Sequence, residues 1–192
     1  MTPPPAGSGG RRGGRPVTSD DLEQIALDYL ARFASSAANL RRVLRDKVER
    51  SARLHDTNRE AGLAAIEALV GRLTAAGALD DRRFAEGRAQ SLFRRGASRR
   101  AIAAKLSEKG VGDEEIAAAL AALEEFAADP ELAAALAYAR RRRIGPFRGR
   151  DARAAARDRD LAALGRAGFG LDVARRVVDT ENPDLLVAEA GV

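Results

Sequence analysis

Apolar residues return along this chain at intervals of three and four, the period of a half-buried helix. The first stripe is Leu22, Ile25, Ala26, Tyr29 and Leu30, opened by Asp20 with Glu23 three residues on, a capping-box-like start. Ser35 and Ser36 interrupt it, and Leu40, Val43, Leu44 and Val48 mark a second helix. Thr57 and Glu60 repeat the capping pattern before Ile66, Leu69, Val70 and Leu73, which run to Gly77, a residue free to take positive φ at a helix end. Leu79-Asp80-Asp81 opens a helix carrying Phe84, Arg88 and Leu92 that stops at Gly96. Ser98 caps the next, with Ile102 and Leu106 inward and Gly110 at its end. Asp113 caps a helix with Ile116, Leu120, Leu123 and Ala127. Asp129-Pro130, an N-cap followed by an N1 proline, opens one with Leu132, Leu136 and Tyr138 that stops before Gly145-Pro146. A helix over about 150–167 carries Leu161 and Leu164 and ends at Gly168, and a short last one holds Val173, Val177 and Val178. No stretch alternates with period two, so the pattern predicts an all-α chain of about nine helices.

The helices group in threes at offsets of about sixty residues. Ile102-x3-Leu106-x3-Gly110-Val111 matches Leu40-x3-Leu44-x3-Val48, and Leu106-x3-Gly110-Val111 matches Leu164-x3-Gly168-Phe169. The apolar residue after each glycine is expected to fold back on the helix it follows. In the first copy Val48 stands where the glycine would be, so that helix is expected to run on toward Thr57. The division expected is a disordered Pro/Gly/Arg tail at 1–17, three-helix repeats at 18–79, 80–128 and 129–181, and a flexible end at 182–192. Units this small gain by stacking, which predicts an elongated, curved array with one long face suited to another polymer.

Composition narrows the chemistry. Among 192 residues there is no Cys or Trp and one His, His55, which removes disulfides, thiolate zinc sites and multi-His metal sites and speaks against an enzyme. No cofactor is expected. Without an apolar run near 18 residues or a signal peptide, the expectation is a soluble, cytoplasmic monomer with no membrane partner. Asp80-Asp81 reads better as a helix cap than as a metal or catalytic pair, because adjacent helical residues point about 100° apart. Gly165-x-x-Gly168-x-Gly170 lacks the strand that a phosphate loop follows and reads as helix punctuation. Tyr29, Phe84 and Phe93 sit at core spacing, leaving Phe147 as the aromatic expected to be exposed for contact.

Charge distribution says more than the net of +5 from 33 basic and 28 acidic residues. The basic side chains are arginines except Lys47, Lys105 and Lys109, and Arg presents a planar fork suited to phosphates and carboxylates. Arg140, Arg141, Arg142 and Arg143 end one helix, and Arg148, Arg150, Arg153, Arg157 and Arg159 follow, with only Asp151 and Asp158 among them. A helix dipole accounts for one or two such cations, not nine. Arg150, Arg153 and Arg157 share a helix face. Contact with a polyanion or an acidic protein is one reading, a solvated face the other. A second set is Arg94, Arg95, Arg99, Arg100, Lys105 and Lys109, with Arg41, Arg42, Arg45 and Lys47 on the equivalent helix of the first repeat. Glu108, Asp46 and Glu49 dilute it, so ion-paired surface helices compete with a contact role. Arg11, Arg12 and Arg15 in the tail divide between phosphate contact and simple solubility.

Four segments in order carry a family resemblance: Ala26-Leu27-x-Tyr29-Leu30, Gly77-x-Leu79-Asp80-Asp81-x-x-Phe84-Ala85, Lys105-Leu106-x-x-Lys109-Gly110-Val111 and Leu164-x-x-Ala167-Gly168-Phe169. Together, over residues 20–180, they resemble the bacterial RecX family, regulators of the recombinase RecA. The resemblance implies three-helix repeats in a curved right-handed rod and no enzymatic activity. It implies binding to the RecA–DNA nucleoprotein filament, with inhibition of ATPase, strand exchange and coprotease activity by lying in the filament groove or promoting disassembly. DNA repair and the SOS response are the processes it would modulate. Direct DNA binding is then expected to be weak and non-specific. The alternative is a stand-alone DNA-binding transcription regulator acting without RecA, for which no single recognition helix stands out.

Overall fold

The computed structural model describes residues 15–191, whose regular elements are all helices, with no strand among them. Ten α-helices follow in order: α1 (Ser19–Leu30), α2 (Ala37–His55), α3 (Arg59–Ala75), α4 (Asp81–Arg94), α5 (Arg99–Ser107), α6 (Asp113–Ala121), α7 (Pro130–Arg142), α8 (Arg153–Arg166), α9 (Leu171–Asp179) and α10 (Pro183–Ala190). Short 3-10 turns lie at Ala122–Glu125, Gly145–Phe147 and Arg150–Ala152. The described residues form two compact units. One comprises residues up to Ala34 with Asn39–Leu79, the other Ser35–Ala38 and the residues from Asp80 onward.

In the first unit the buried residues are Leu22 and Ala26 of α1, Leu40, Leu44 and Val48 of α2, and Ile66, Leu69, Val70 and Leu73 of α3. The caps differ from those the sequence predicts. Thr18, not Asp20, begins α1, in a box with Asp21, and Asn58, not Thr57, begins α3 by accepting the Ala61 N–H at 3.0 Å. Thr57 instead donates to Ser51 Oγ, which also accepts the Val17 N–H at 3.0 Å. Arg15 pairs with Asp21, so residues 15–17 are held by the unit although the sequence assigns them to the tail. Arg11 and Arg12 lie outside the described residues. As Val48 predicts, α2 runs on to His55, and Asp56 takes the left-handed turn at φ 53°.

The second unit holds α4 to α10 around one continuous core, so the second and third predicted repeats share their interior. Four of its helices, α4, α5, α7 and α8, stop alike. The N–H five residues on returns to the carbonyl of Leu92, Leu106, Ala139 or Leu164, at 2.9–3.2 Å, the Schellman pattern. The residue bringing that N–H is buried after α5, α7 and α8, as Val111, Ile144 and Phe169, so the apolar residue after the stop does fold back. Gly168 has φ 97°, and a Cβ there would lie 2.5 Å from Ser98 Oγ, so both conformation and space require glycine.

A joint recurs at that position. Ser98, the N-cap of α5, donates to the Ala167 carbonyl at 2.8 Å, while the Arg99 N–H beside it donates to Glu131 at 2.9 Å. Ser36 donates to the Lys109 carbonyl, and the Ala37 N–H donates to Asp81 at 2.7 Å. In both, a serine hydroxyl closes the carbonyl before a left-handed glycine, and a carboxylate from another helix caps the next N–H. Asp80 and Asp81 thus divide the labour. Asp80 caps its own helix through the Arg83 N–H at 2.9 Å, and Asp81 caps α2.

The sequence predicts a flexible end from residue 182, and there the structure differs. Residues 183–190 form α10 beside α7, Ala190 is fully buried, its carbonyl accepts the Asp129 N–H, and Arg176 bridges Glu189 and Asp129. Apolar Leu186 and Val187 supply the packing that the acidic residues obscured in the sequence.

Candidate polyanion-binding surface

The structure sorts the arginine run into groups that hold the fold and groups that do not. Arg148 belongs to the fold. It pairs with Asp160, 2% exposed, at 2.8 Å, and the same carboxylate accepts the Gly145 N–H at 2.9 Å. Arg153 donates to the carbonyls of Arg148 and Pro146, tying α8 to the Gly145–Phe147 turn. Arg157 makes a fork with Asp179, both bonds 2.7 Å. That hydrogen bond, then burial working against it, leaves the Asp179 carboxyl below its ordinary value and raises Arg157. The expectation that Arg150, Arg153 and Arg157 share one helix face is therefore corrected. Arg150 lies in the 3-10 turn before α8, exposed, and the other two are committed within the chain.

Arg140, Arg141, Arg142 and Arg143 are exposed at the end of α7, with Arg143 in the left-handed conformation. Arg141 and Arg142 each stand over the Tyr138 ring, at 5.8 and 5.7 Å, and Arg140 over Phe147 at 5.4 Å. Phe147, expected to be exposed, is half-buried against the core beneath that guanidinium. In the second set Arg94, Arg95, Arg100 and Lys105 are exposed without ion pairs among the described residues, whereas Arg99 approaches Glu124 at 3.8 Å. Lys109 is half-buried. In the first unit Arg41 pairs with Glu67 and Arg42 bonds Asn39, so that face is partly ion-paired.

The structure also assembles what spacing did not reveal, a groove of about 570 Å³ between the end of α7 and α8. Tyr138, Arg142, Ile144, Arg148, Arg159 and Arg166 line it, with Asp160 beneath Arg148 and Ala163 and Ala167 as its apolar wall. Arg142, Arg159 and Arg166 have no ion pair or hydrogen-bond partner among the described residues. Arg100 borders Gly168 at the α5 side, its Nε 3.6 Å from where a Cβ would stand. The signal for Arg166 was its place seven residues after Arg159 and three after Ala163, one helical face. Among the described residues, no three His, Cys, Asp or Glu side chains gather as a metal site would require, and no helix is long and apolar enough to cross a membrane.

These features define an all-helical repeat protein with an arginine-rich surface. The family model for the second three-helix domain of RecX matches residues 80–120, which span α4 to most of α6. The chain is 42% identical over 170 residues to the regulatory protein RecX of Myxococcus xanthus (strain DK1622), covering 88% of this chain and 89% of that one. It is 32% identical over 182 residues to that of Thermobifida fusca (strain YX), covering 93% and 85%, and 35% identical over 115 residues to that of Agrobacterium fabrum (strain C58 / ATCC 33970), covering 59% of each. No solved structure matches. The chain belongs to the RecX family and is a regulatory protein of that type.

Proposed function

We propose that this protein regulates a RecA recombinase by binding the RecA–DNA nucleoprotein filament, inhibiting its ATPase, strand-exchange and coprotease activities. The observation that carries the reading is family membership over nearly the whole chain. The unpaired arginines supply a physical means. A filament presents acidic protein surface and DNA phosphate together, and a guanidinium fork pairs with either. Arg94, Arg95, Arg100, Arg140, Arg141, Arg142, Arg143 and Arg150, with Lys105 and Lys109, are the contacts in this reading. Arg99, Arg148, Arg153 and Arg157 act through the fold. Seated in the filament's helical groove as a monomer, the chain excludes duplex DNA and restrains the protomer motions that ATP turnover needs, or favours disassembly. Through the filament it modulates DNA repair and the SOS response.

RecA ATPase and strand exchange on single-stranded DNA, titrated with this protein, test the reading. Inhibition at stoichiometric or lower ratios is the expected outcome. Unchanged rates, with tight sequence-selective duplex binding in the absence of RecA, would establish a stand-alone DNA-binding regulator instead.

A further inference from the structure

The groove between α7 and α8 offers hydrogen-bond donors almost exclusively. Arg142 enters from α7, and Arg159 and Arg166 from one face of α8 about 10 Å apart along its axis. The acceptors nearby are already used. Asp160 takes Arg148 and the Gly145 N–H, and the Ala167 carbonyl takes Ser98. Apart from the Tyr138 hydroxyl and Asp160, the side chains that line the groove offer no acceptor, so a ligand rich in donors is poorly matched to it. A peptide brings an N–H at every residue, whereas a phosphodiester backbone brings only acceptors and a charge per step. The Tyr138 ring is packed against Phe169, centroids 5.8 Å apart, and carries Arg141 and Arg142 above it, so it is closed as a stacking platform for bases. The volume suits a nucleotide-sized segment.

We propose that Arg142, Arg159 and Arg166 hold the sugar–phosphate backbone of a single nucleic-acid strand in this groove without reading its bases. Arg148 is the positioning residue. Locked by buried Asp160, it fixes the wall against which the strand lies. The inference deepens the reading above by giving its DNA contact a place, and its test contains no RecA. Failure here with RecA inhibition intact sinks the groove alone.

The measurement is binding of fluorescent oligo-dT and oligo-dA by the full chain across a salt titration. The groove variant is Arg142→Gln/Arg159→Gln/Arg166→Gln, and the charge-matched control is Arg50→Gln/Arg53→Gln/Arg175→Gln, all exposed. Wild type is expected to bind both sequences alike, and the groove variant to lose at least tenfold in affinity. Its log–log salt slope should fall by about 2, at about 0.7 per phosphate contact on a single strand, while the control loses little. Equal losses in the two variants would overturn the proposal, as would a strong preference between the oligonucleotides. Free thymidine monophosphate or oligoglutamate competing as well as the oligonucleotide, per unit charge, would also overturn it. Should the triple variant unfold, Arg159→Gln and Arg166→Gln singly, on the exposed side of α8, carry the same comparison.

Discussion

At the scale of single residues, Asp160 shows how one carboxylate organises a cationic region. It is the buried member of a pair whose other half is partly exposed, and it also accepts a backbone N–H at the turn after α7. Asp160→Asn keeps the shape but leaves the Arg148 guanidinium half-buried without its counter-charge. We expect a loss of about 3 kcal/mol in urea unfolding. A loss below about 0.5 kcal/mol would mean that the pair is solvated like a surface bridge. Arg148 also shows why the site was only half legible in the sequence. A run of arginines declares charge, but the division into Arg148, Arg153 and Arg157, which serve the fold, and Arg142 and Arg159, which do not, depends on partners 5 to 22 residues away. Arg166 was missed for the converse reason. Its place on the Arg159 face of α8 marks it only once the end of α7 is known to line the same groove.

Among elements, the recurring joint is the feature that spacing came closest to giving. The glycine–apolar stops were readable because positive φ leaves a residue signature, and Asp80, Ser98 and Asp129 were readable as caps. The second function of Ser98, closing a carbonyl 69 residues away, was not, since the same hydroxyl also caps α5. Nor was α10, whose short apolar face acquires meaning only against α7. Ser98→Ala removes a cap and strands a carbonyl, and about 1–3 kcal/mol should be lost in urea unfolding. The carboxylate of the same joint adds a pH signature. Burial, opposed by the Arg99 N–H, raises Glu131 above its ordinary 4.5. The folded state then holds the proton more tightly than the unfolded chain, so this group lowers stability as pH climbs from below 4.5 through its raised folded pKa. Glu131→Gln, which keeps an acceptor for Arg99, should flatten that decline in melting temperature. An unchanged pH profile would remove Glu131 from it.

For the whole molecule, the claim is that a helical repeat chain uses guanidinium groups not consumed by its own carboxylates to hold a polymer. Co-sedimentation with RecA–single-stranded DNA filaments at about 0.15 M salt, where exposed charges are screened beyond about 8 Å, tests it most directly. The wild-type chain should pellet with the filament, and the Arg94→Gln/Arg95→Gln/Arg140→Gln/Arg141→Gln variant should stay largely in the supernatant while melting as wild type does. A wild-type chain left in the supernatant beside intact filaments would contradict the account.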